Sequence, residues 1–390
     1  MKMRPSFSRR PFGRLAIFAG GFVLASAVAA SAYWAVEVIY GPAGAARAQA
    51  ASLSAPSNAT VSESSATSVA IGWRTPATQL AGATYEVIRN PGENQVTVCD
   101  VVAGPCTDRG LEAGTAYTYS VIAVLDNWHS TSATATITTL GTRTSSAPDA
   151  VFGHPYSMDL AADGGEGGLS WTLAPSSSVL PPGLRMDGGE ILGTPSAAGV
   201  FTGLRFEVTD SHGSFLVTPA ISLTVTRAPV VVTASSSSTP YGSAPSVTAS
   251  LSGLQNGQSV SDLTSAPTCT SSVTATSAVG NYPGANTCAG ATSPDYSFSY
   301  VSAVATVTRA PVVVTASSSS TPYGSAPSVT ASLSGLQNGQ SVSDLTSAPT
   351  CTSSVTATSA VGNYPGANTC AGATSPNYSF SYVSASATVT

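Results

Sequence analysis

Six cysteines are the side chains of this chain best suited to covalent chemistry, and they fall into three close pairs: Cys99 with Cys106, Cys269 with Cys288, and Cys351 with Cys370. Each pair lies inside its own segment, so the spacing favours three local disulfides over one shared framework. Closing the ~20-residue loop of either later pair removes unfolded-state entropy worth about 3 kcal/mol, a large contribution to a small domain. Zinc is the poorer reading. Neither spacing is CxxC, and no histidine lies between residues 227 and 390.

Titratable groups able to support catalysis are few. His129, His154 and His212 are the only imidazoles, and nothing in the sequence gathers around them. Asp210 and His212 with their neighbouring serines come nearest to a nucleophilic set, but VTDSHGS reads as a strand end followed by a turn. Asp187 and Glu190 flank Gly-Gly, which makes a hairpin turn more simply than a glycosidase pair. Gly164, Gly165, Gly167 and Gly168 imitate a phosphate loop, yet no GK[ST] follows and no helix is signalled. Asp108, Asp126, Asp149, Asp163 and Asp210 are the oxygen ligands available to calcium, and they are scattered along the chain. The sequence therefore assigns no catalytic residue, no metal ligand and no cofactor.

The elements that carry these residues are preceded by a leader. Lys2, Arg4, Arg9, Arg10 and Arg14 come before the uncharged run 15–36, and the first acid is Glu37. This is the pattern of an export signal. The apolar stretch LAIFAGGFVLA fades into AVAASA, which predicts cleavage after Ala32, with Ala50 as a second choice. As an uncleaved helical anchor, the same run at ~1.5 Å per residue would span a hydrocarbon core of about 30 Å, with the basic residues inside. Residues 1–50 are thus a signal peptide or N-terminal membrane anchor plus linker, and both readings leave the body outside the cell. Beyond Ala50 there are eight arginines, no lysine and 18 acids, a net charge of −10 that excludes a nucleic-acid partner. The missing lysine also excludes Lys–Asn isopeptide cross-links.

The remainder reads as all-β: short period-2 runs separated by turn formers, with charged residues only 8% of the chain. Arg227–Thr308 is repeated at Arg309–Thr390 with two changes, Asp295 to Asn377 and Val304 to Ser386. An 82-residue segment copied whole is one foldable unit, and copies add length or valency rather than catalysis. The sequence TVTRAPVVVT at the boundary predicts nearly continuous extended chain from one copy into the next.

Three resemblances follow from particular residues. In residues 52–140, Trp73, Tyr85 and DRGLEAGTAYTYSVIAV, with Leu111, Gly114 and Tyr117 in a tyrosine-corner pattern, resemble a fibronectin type III domain. Cys99 and Cys106 are an addition to that family's pattern. Its register places Asp126, Asn127, Trp128 and His129 on an end loop between the last two strands, where a tryptophan could stack on a sugar or anchor a protein contact, or fold back over its own core. Residues 146–226, with PPGLRMDGGEILGTPSAAGVF, resemble the Ig-like domain of the He-PIG type, and Trp171, Leu184, Ile191 and Phe206 are its core candidates. Each copy, 227–308 and 309–390, resembles the MBG domain of the YGX type, with Tyr241–Gly242 and Tyr323–Gly324 as its motif. Period-2 ends support a β-sandwich-like bead, while a helical turn at NGQSVSDL would favour a β-grasp-like one. Tyr282 and Tyr364 either present aromatics at regular spacing or serve packing in a G-x-Y-P turn.

The expected protein is a tandem string of β-sandwich domains followed by two small mostly-β repeats, behind a signal or anchor helix. Its expected role is an exported, non-catalytic cell-surface or secreted spacer and adhesion module, with beads of about 30 Å each and partners among surface proteins or glycans. Two alternatives stay open: an accessory binding protein of extracellular polysaccharide degradation, and a fragment of a larger adhesin.

Overall fold

The computed structural model describes residues 34–40, 46–90, 92 and 94–390. Residues 1–33, which hold most of the signal or anchor segment, lie outside the described residues. Strands Trp34–Tyr40 and Ala46–Ser52 form an antiparallel hairpin, so the last residues of the uncharged run, 34–36, sit in a strand. Among the described residues no helix is long and apolar enough to cross a membrane. Apart from two short 3-10 turns, the described residues are strand, turn and irregular chain. The chain forms two compact units, one made of residues up to Ala150 with Pro155–Thr194 and Val200–Thr224, the other of Val151–His154, Pro195–Gly199 and Val225–Thr390.

In the first unit, residues 53–140 form a two-sheet sandwich. Ser57–Ser65, Ser68–Arg74 and Cys106–Arg109 make one sheet; Ala133–Thr138, Ala116–Leu125, Thr84–Arg89 and Val96–Val101 make the other. Alternation builds the core: Tyr117, Tyr119, Val121 and Ala123 point inward from one strand against Val69, Ile71, Tyr85 and Val87. Burial of these side chains is the main term holding the sandwich together, at roughly 1.5–3 kcal/mol for each large one. The tyrosine corner forms as expected, with the Tyr117 hydroxyl accepting the Glu112 N–H at 2.9 Å. Gly114, at φ +67°, lies so close to Gly141 that a side chain on the latter would strike the former's backbone.

The Ig-like segment contributes small sheets to the same unit, Tyr156–Asp159 with Glu190–Gly193 and Leu184–Asp187, and Ser170–Leu173 with Phe206–Thr209 and Phe215–Val217. Asp187 and Glu190 face each other across the Gly188–Gly189 turn, the ends of a hairpin. Ile191 and Phe206 are fully buried; Trp171 and Leu184 are only half-buried.

In the second unit the two repeats share one topology. In the first copy, Ala228–Ala234 runs parallel to Tyr296–Val301 and antiparallel to Ala249–Ser252. The second sheet orders Ser237–Pro240, Ala303–Thr308, Gly280–Ala289 and Thr268–Ser271, its first pair also parallel. The sheets face each other, as shown in the second copy by Val314 and Ala316 packing with Cys370 and Ala385. NGQSVSDL makes only the 3-10 turn Val260–Asp262, which buries no side chain. With no helix packed on a sheet, the repeat is a two-sheet mixed sandwich rather than a β-grasp. The boundary strand is interrupted at one residue: Ala303–Thr308 ends, Arg309 intervenes and Ala310–Ala316 begins. Arg227 and Arg309, each the first residue of its repeat, donate from Nε to a carbonyl of the same repeat, that of Pro294 at 2.9 Å and Pro376 at 3.2 Å.

Candidate functional site

The cysteines pair as Cys99–Cys106, Cys269–Cys288 and Cys351–Cys370. In each repeat the bonded residues stand directly opposite on adjacent antiparallel strands. The first disulfide instead ties Val96–Val101, in one sheet of the sandwich, to Cys106–Arg109 in the other. It thereby holds the crossing loop at Gly104 against the Trp73 ring.

Residues 126–129 form a tight hairpin. Asp126 adopts φ +51°, Asp126 and Asn127 are exposed at the tip, and Trp128 and His129 return as a short strand paired with Val124 and Leu125. Trp128 is half-buried. Tyr282 and Tyr364 turn back on their own beads, donating to the Ala278 and Ala360 carbonyls, and both pack against apolar cores.

Of the candidate carboxylates, Asp108, Asp163 and Asp210 are held by protein partners. Asp108 accepts from Arg89 at 3.0 Å and from the Tyr119 hydroxyl at 2.9 Å; burial, then that bond to Asp108, pushes the Tyr119 phenol well above its usual range. Asp163 pairs with Arg143. Burial works to raise the Asp210 pKa, but backbone N–H groups of Glu166, Ser214 and His212 outweigh it and hold the carboxyl below its ordinary value. His212 is exposed, 3.9 Å from Glu166. Among the described residues no cluster of three acidic, histidine or cysteine side chains is placed to hold a metal ion.

Where the fibronectin-like and Ig-like segments meet inside the first unit, polar groups do the joining. Buried Glu63 accepts the Leu140 N–H with both carboxylate oxygens, at 3.0 and 3.2 Å. The N–H of Glu63 donates to the Glu166 carboxylate, and the N–H of Glu166 donates to Asp210. Burial is the main cause pushing the Glu63 pKa up, with Asp210 and Glu166 adding to it and the Leu140 bond opposing. The glycine-rich stretch serves this contact: Gly164, at φ +65°, lies so close to the Thr138 and Thr139 carbonyls that no Cβ fits. Close backbone approach accounts for Gly164, and Gly167 lies tightly against the Ser211 side chain.

The second unit contains two junctions of one design. Tyr241 of the first repeat meets Tyr378 of the second edge-on, with centroids 5.5 Å apart. A Cβ on Gly242, at φ +95°, would lie 2.5 Å from the Gln337 Cγ. The Asn377 Oδ1 accepts the Val279 N–H at 3.1 Å. One repeat earlier the same three positions are Tyr296, Gln255 and Asp295. Phe152 meets Tyr296 edge-on at 5.2 Å, Gly153 at φ +71° lies against Gln255, and the Asp295 carboxylate accepts the Ala198 N–H at 2.8 Å. Each acceptor tyrosine is fixed by its hydroxyl, which accepts the N–H of Gln255 or Gln337 and donates to Gln258 or Gln340. An aromatic–glycine pair thus plugs a Tyr–Gln–Asx socket twice. The apolar core is continuous through the second junction, joining Tyr241, Val307 and Ala305 to Ala310, Val312 and Tyr378.

Sequence reasoning singled out the Tyr–Gly motif and the changed position 295/377 without connecting them. The signal was available in the aromatic–glycine pair at 152–153, which matches 241–242 and 323–324. Asp295 and Asn377 occupy the same place because either side chain supplies an acceptor oxygen. Nothing in the structure explains Val304 against Ser386.

This arrangement defines an all-β multidomain protein whose domains meet through built interfaces. A family model for fibronectin type III domains matches residues 54–139, one for He-PIG Ig domains 138–228, and one for MBG domains of the YGX type 230–306 and 312–388. The chain therefore carries a fibronectin type III domain, an Ig-like domain and two tandem MBG domains. Among solved structures, the fibronectin type III domain of the human collagen alpha-1(XX) chain is 22% identical, with 22% of this chain and 85% of that one covered at a TM-score of 0.20. A two-domain fibronectin type III segment of chicken tenascin is 15% identical, with 43% and 97% covered at 0.20. No curated protein matches the chain. The fibronectin III and Ig-like domains together with the disulfides fit an extracellular protein, and the domain content is typical of non-catalytic modules.

Proposed function

We propose that this chain is an exported, non-catalytic surface or secreted protein that acts as a spacer and adhesion module. The observation that supports it is the repeated plug-and-socket junction, which couples neighbouring domains, through a shared core between the two repeats, and fits a mechanical role better than a set of free beads. Export rests on the basic-then-apolar leader, and attachment through that leader is part of the proposal. Antibody to the repeats, applied to membrane, wall and medium fractions, tests location. Scattering from the full chain and from the same chain lacking residues 309–390 tests the spacer role: removing one repeat should shorten the longest dimension by about 30 Å, the span of a nine-residue strand, and an unchanged dimension would overturn it. The exposed tip at Asp126 and Asn127 beside half-buried Trp128 supports a second reading, a glycan- or protein-contact loop. Screening the exported chain and its Trp128→Ala variant on a glycan array decides between these: specific binding abolished by the substitution favours an accessory role in polysaccharide degradation.

A further inference from the structure

Sheet edges are where a β protein leaves backbone groups without partners. In each repeat the three-stranded sheet ends on one side at Tyr296–Val301 or Tyr378–Val383, whose one strand neighbour among the described residues is Ala228–Ala234 or Ala310–Ala316. Ladder phase decides which groups that neighbour leaves over. The Ala228 N–H donates to the Asp295 carbonyl and the Ala310 N–H to that of Asn377, so the parallel ladder takes the amides of Ser297, Ser299 and Val301 and their counterparts in the second repeat. The N–H and C=O groups of Tyr296, Phe298 and Tyr300 therefore point away from the sheet, and no described residue bonds them. The strand itself is already set: the Tyr300 hydroxyl accepts the Ala291 N–H at 2.9 Å, and the Tyr296 hydroxyl accepts that of Gln255 at 2.8 Å. Nothing in it guards the edge. Charge, proline and bulge are the usual protections, and Tyr296–Val301 has none of them. It runs for six residues, where the other edge strands of the first repeat have four and one of those ends at Pro240.

The edge is also a palindrome. Tyr296, Ser297, Phe298, Ser299 and Tyr300 read alike in both directions, as do residues 378–382. An antiparallel strand of the same sequence, laid against it with Phe298 on a two-fold axis, sets Tyr against Tyr, Ser against Ser and Phe against Phe. In that register the three outward N–H groups of each strand meet the outward carbonyls of the other, six hydrogen bonds in all. Ser297 then faces Ser299 of the second copy on the exposed side of the sheet. We propose that this edge is a side-by-side docking site for the same edge of a second copy of the chain, joining two three-stranded sheets into one. The occupant follows from the palindrome, because a two-fold contact needs a surface that complements itself, and this uncharged strand does so without opposing like charges. Both repeats carry the edge, so a contact too small to be strong alone is offered twice by each chain. It forms wherever two chains meet and does not depend on the spacer reading.

Sedimentation of the exported chain over a concentration series should show reversible dimers. Replacing Ser297, Ser299, Ser379 and Ser381 together by Lys sets like charges opposite one another at exposed positions and should weaken dimerisation at least roughly tenfold. The same four replaced by Glu should weaken it equally, and mixing the Lys and Glu chains should restore it. A wild-type chain that stays monomeric at about 1 mM, or a folded Lys chain that dimerises as before, overturns the proposal. Amide exchange in the wild-type chain decides the matter without substitution. From dilute to dimer-saturated solution the Phe298 and Phe380 amides should slow roughly tenfold while those of Ser299 and Ser381, already bonded in the ladder, stay unchanged. A dimer that leaves the Phe298 and Phe380 amides unaffected pairs through another face and overturns the proposal equally.

Discussion

Tyr241 and Tyr323 sit in identical local sequence, yet one is buried against a neighbouring domain and the other stands in solvent. Their backbone hydrogen bonds are the same, so the difference lies wholly in what comes next to each. The Tyr–Gly motif is an interface element: Tyr241 lies in the core that the two repeats share, whereas Tyr323 is exposed. The junction inside the first unit teaches the converse. There a buried carboxylate, Glu63, and a glycine-rich loop achieve close approach through hydrogen bonds, whereas the contact between repeats is aromatic, apolar and uncharged at Asn377.

The largest effect should come from Tyr241→Ala, which opens a cavity in the continuous core and should cost about 3 kcal/mol in denaturant unfolding of the repeats, within the range for buried aromatic truncation. Tyr323→Ala should stay within about 0.5 kcal/mol, as exposed substitutions do; equal effects would dissolve the distinction. Next, removing Cys269–Cys288 or Cys351–Cys370 by paired alanine substitution should cost about 3 kcal/mol each. Those two losses should match, because each disulfide is internal to its repeat, and a clear inequality would mean that the copies differ beyond their junctions. Asn377→Ala strands the Val279 N–H and should cost about 1 kcal/mol, while Asn377→Asp keeps the acceptor and should cost less.

The smallest effect separates the two kinds of junction by pH. The Glu63 pKa is raised in the folded state, so its contribution is fully present below the unfolded carboxylate value near 4.5 and is lost as pH rises through the higher folded value. Glu63→Gln retains an acceptor for Leu140 and should remove this dependence, a difference on the order of 1 kcal/mol or less between the two proteins at neutral pH. Melting curves of wild type and variant from acid to neutral pH check the sign: the pair should converge at low pH and separate as pH rises, with the variant the more stable. Convergence at neutral pH and separation in acid would refute the assignment.

Much of this was legible in the sequence. Period-2 runs named the strands because side chains alternate across a sheet, and RAPVVVTA indeed buries Val230 and Val232 while exposing Val231. Cysteine spacing named the disulfides, and Leu111, Gly114 and Tyr117 gave the tyrosine corner. The choice between sandwich and β-grasp was not legible, since NGQSVSDL fits a turn in both and only long-range parallel pairing, as between Ala228–Ala234 and Tyr296–Val301, decides it. Gly164, Gly165, Gly167 and Gly168 were legible as unlike a phosphate loop, because no GK[ST] follows, but the close approach of the Thr138 and Thr139 carbonyls to Gly164 was not.

The sequence by itself determined an all-β chain of distinct domains, the cysteine pairs and the copying of one 82-residue unit, because these depend on composition, alternation and short spacing. Only the tertiary structure decided what the copied motif is for. Tyr241, Gln337 and Asn377 lie far apart in the chain, and the chemistry they share comes from two folded surfaces meeting, which no local pattern encodes.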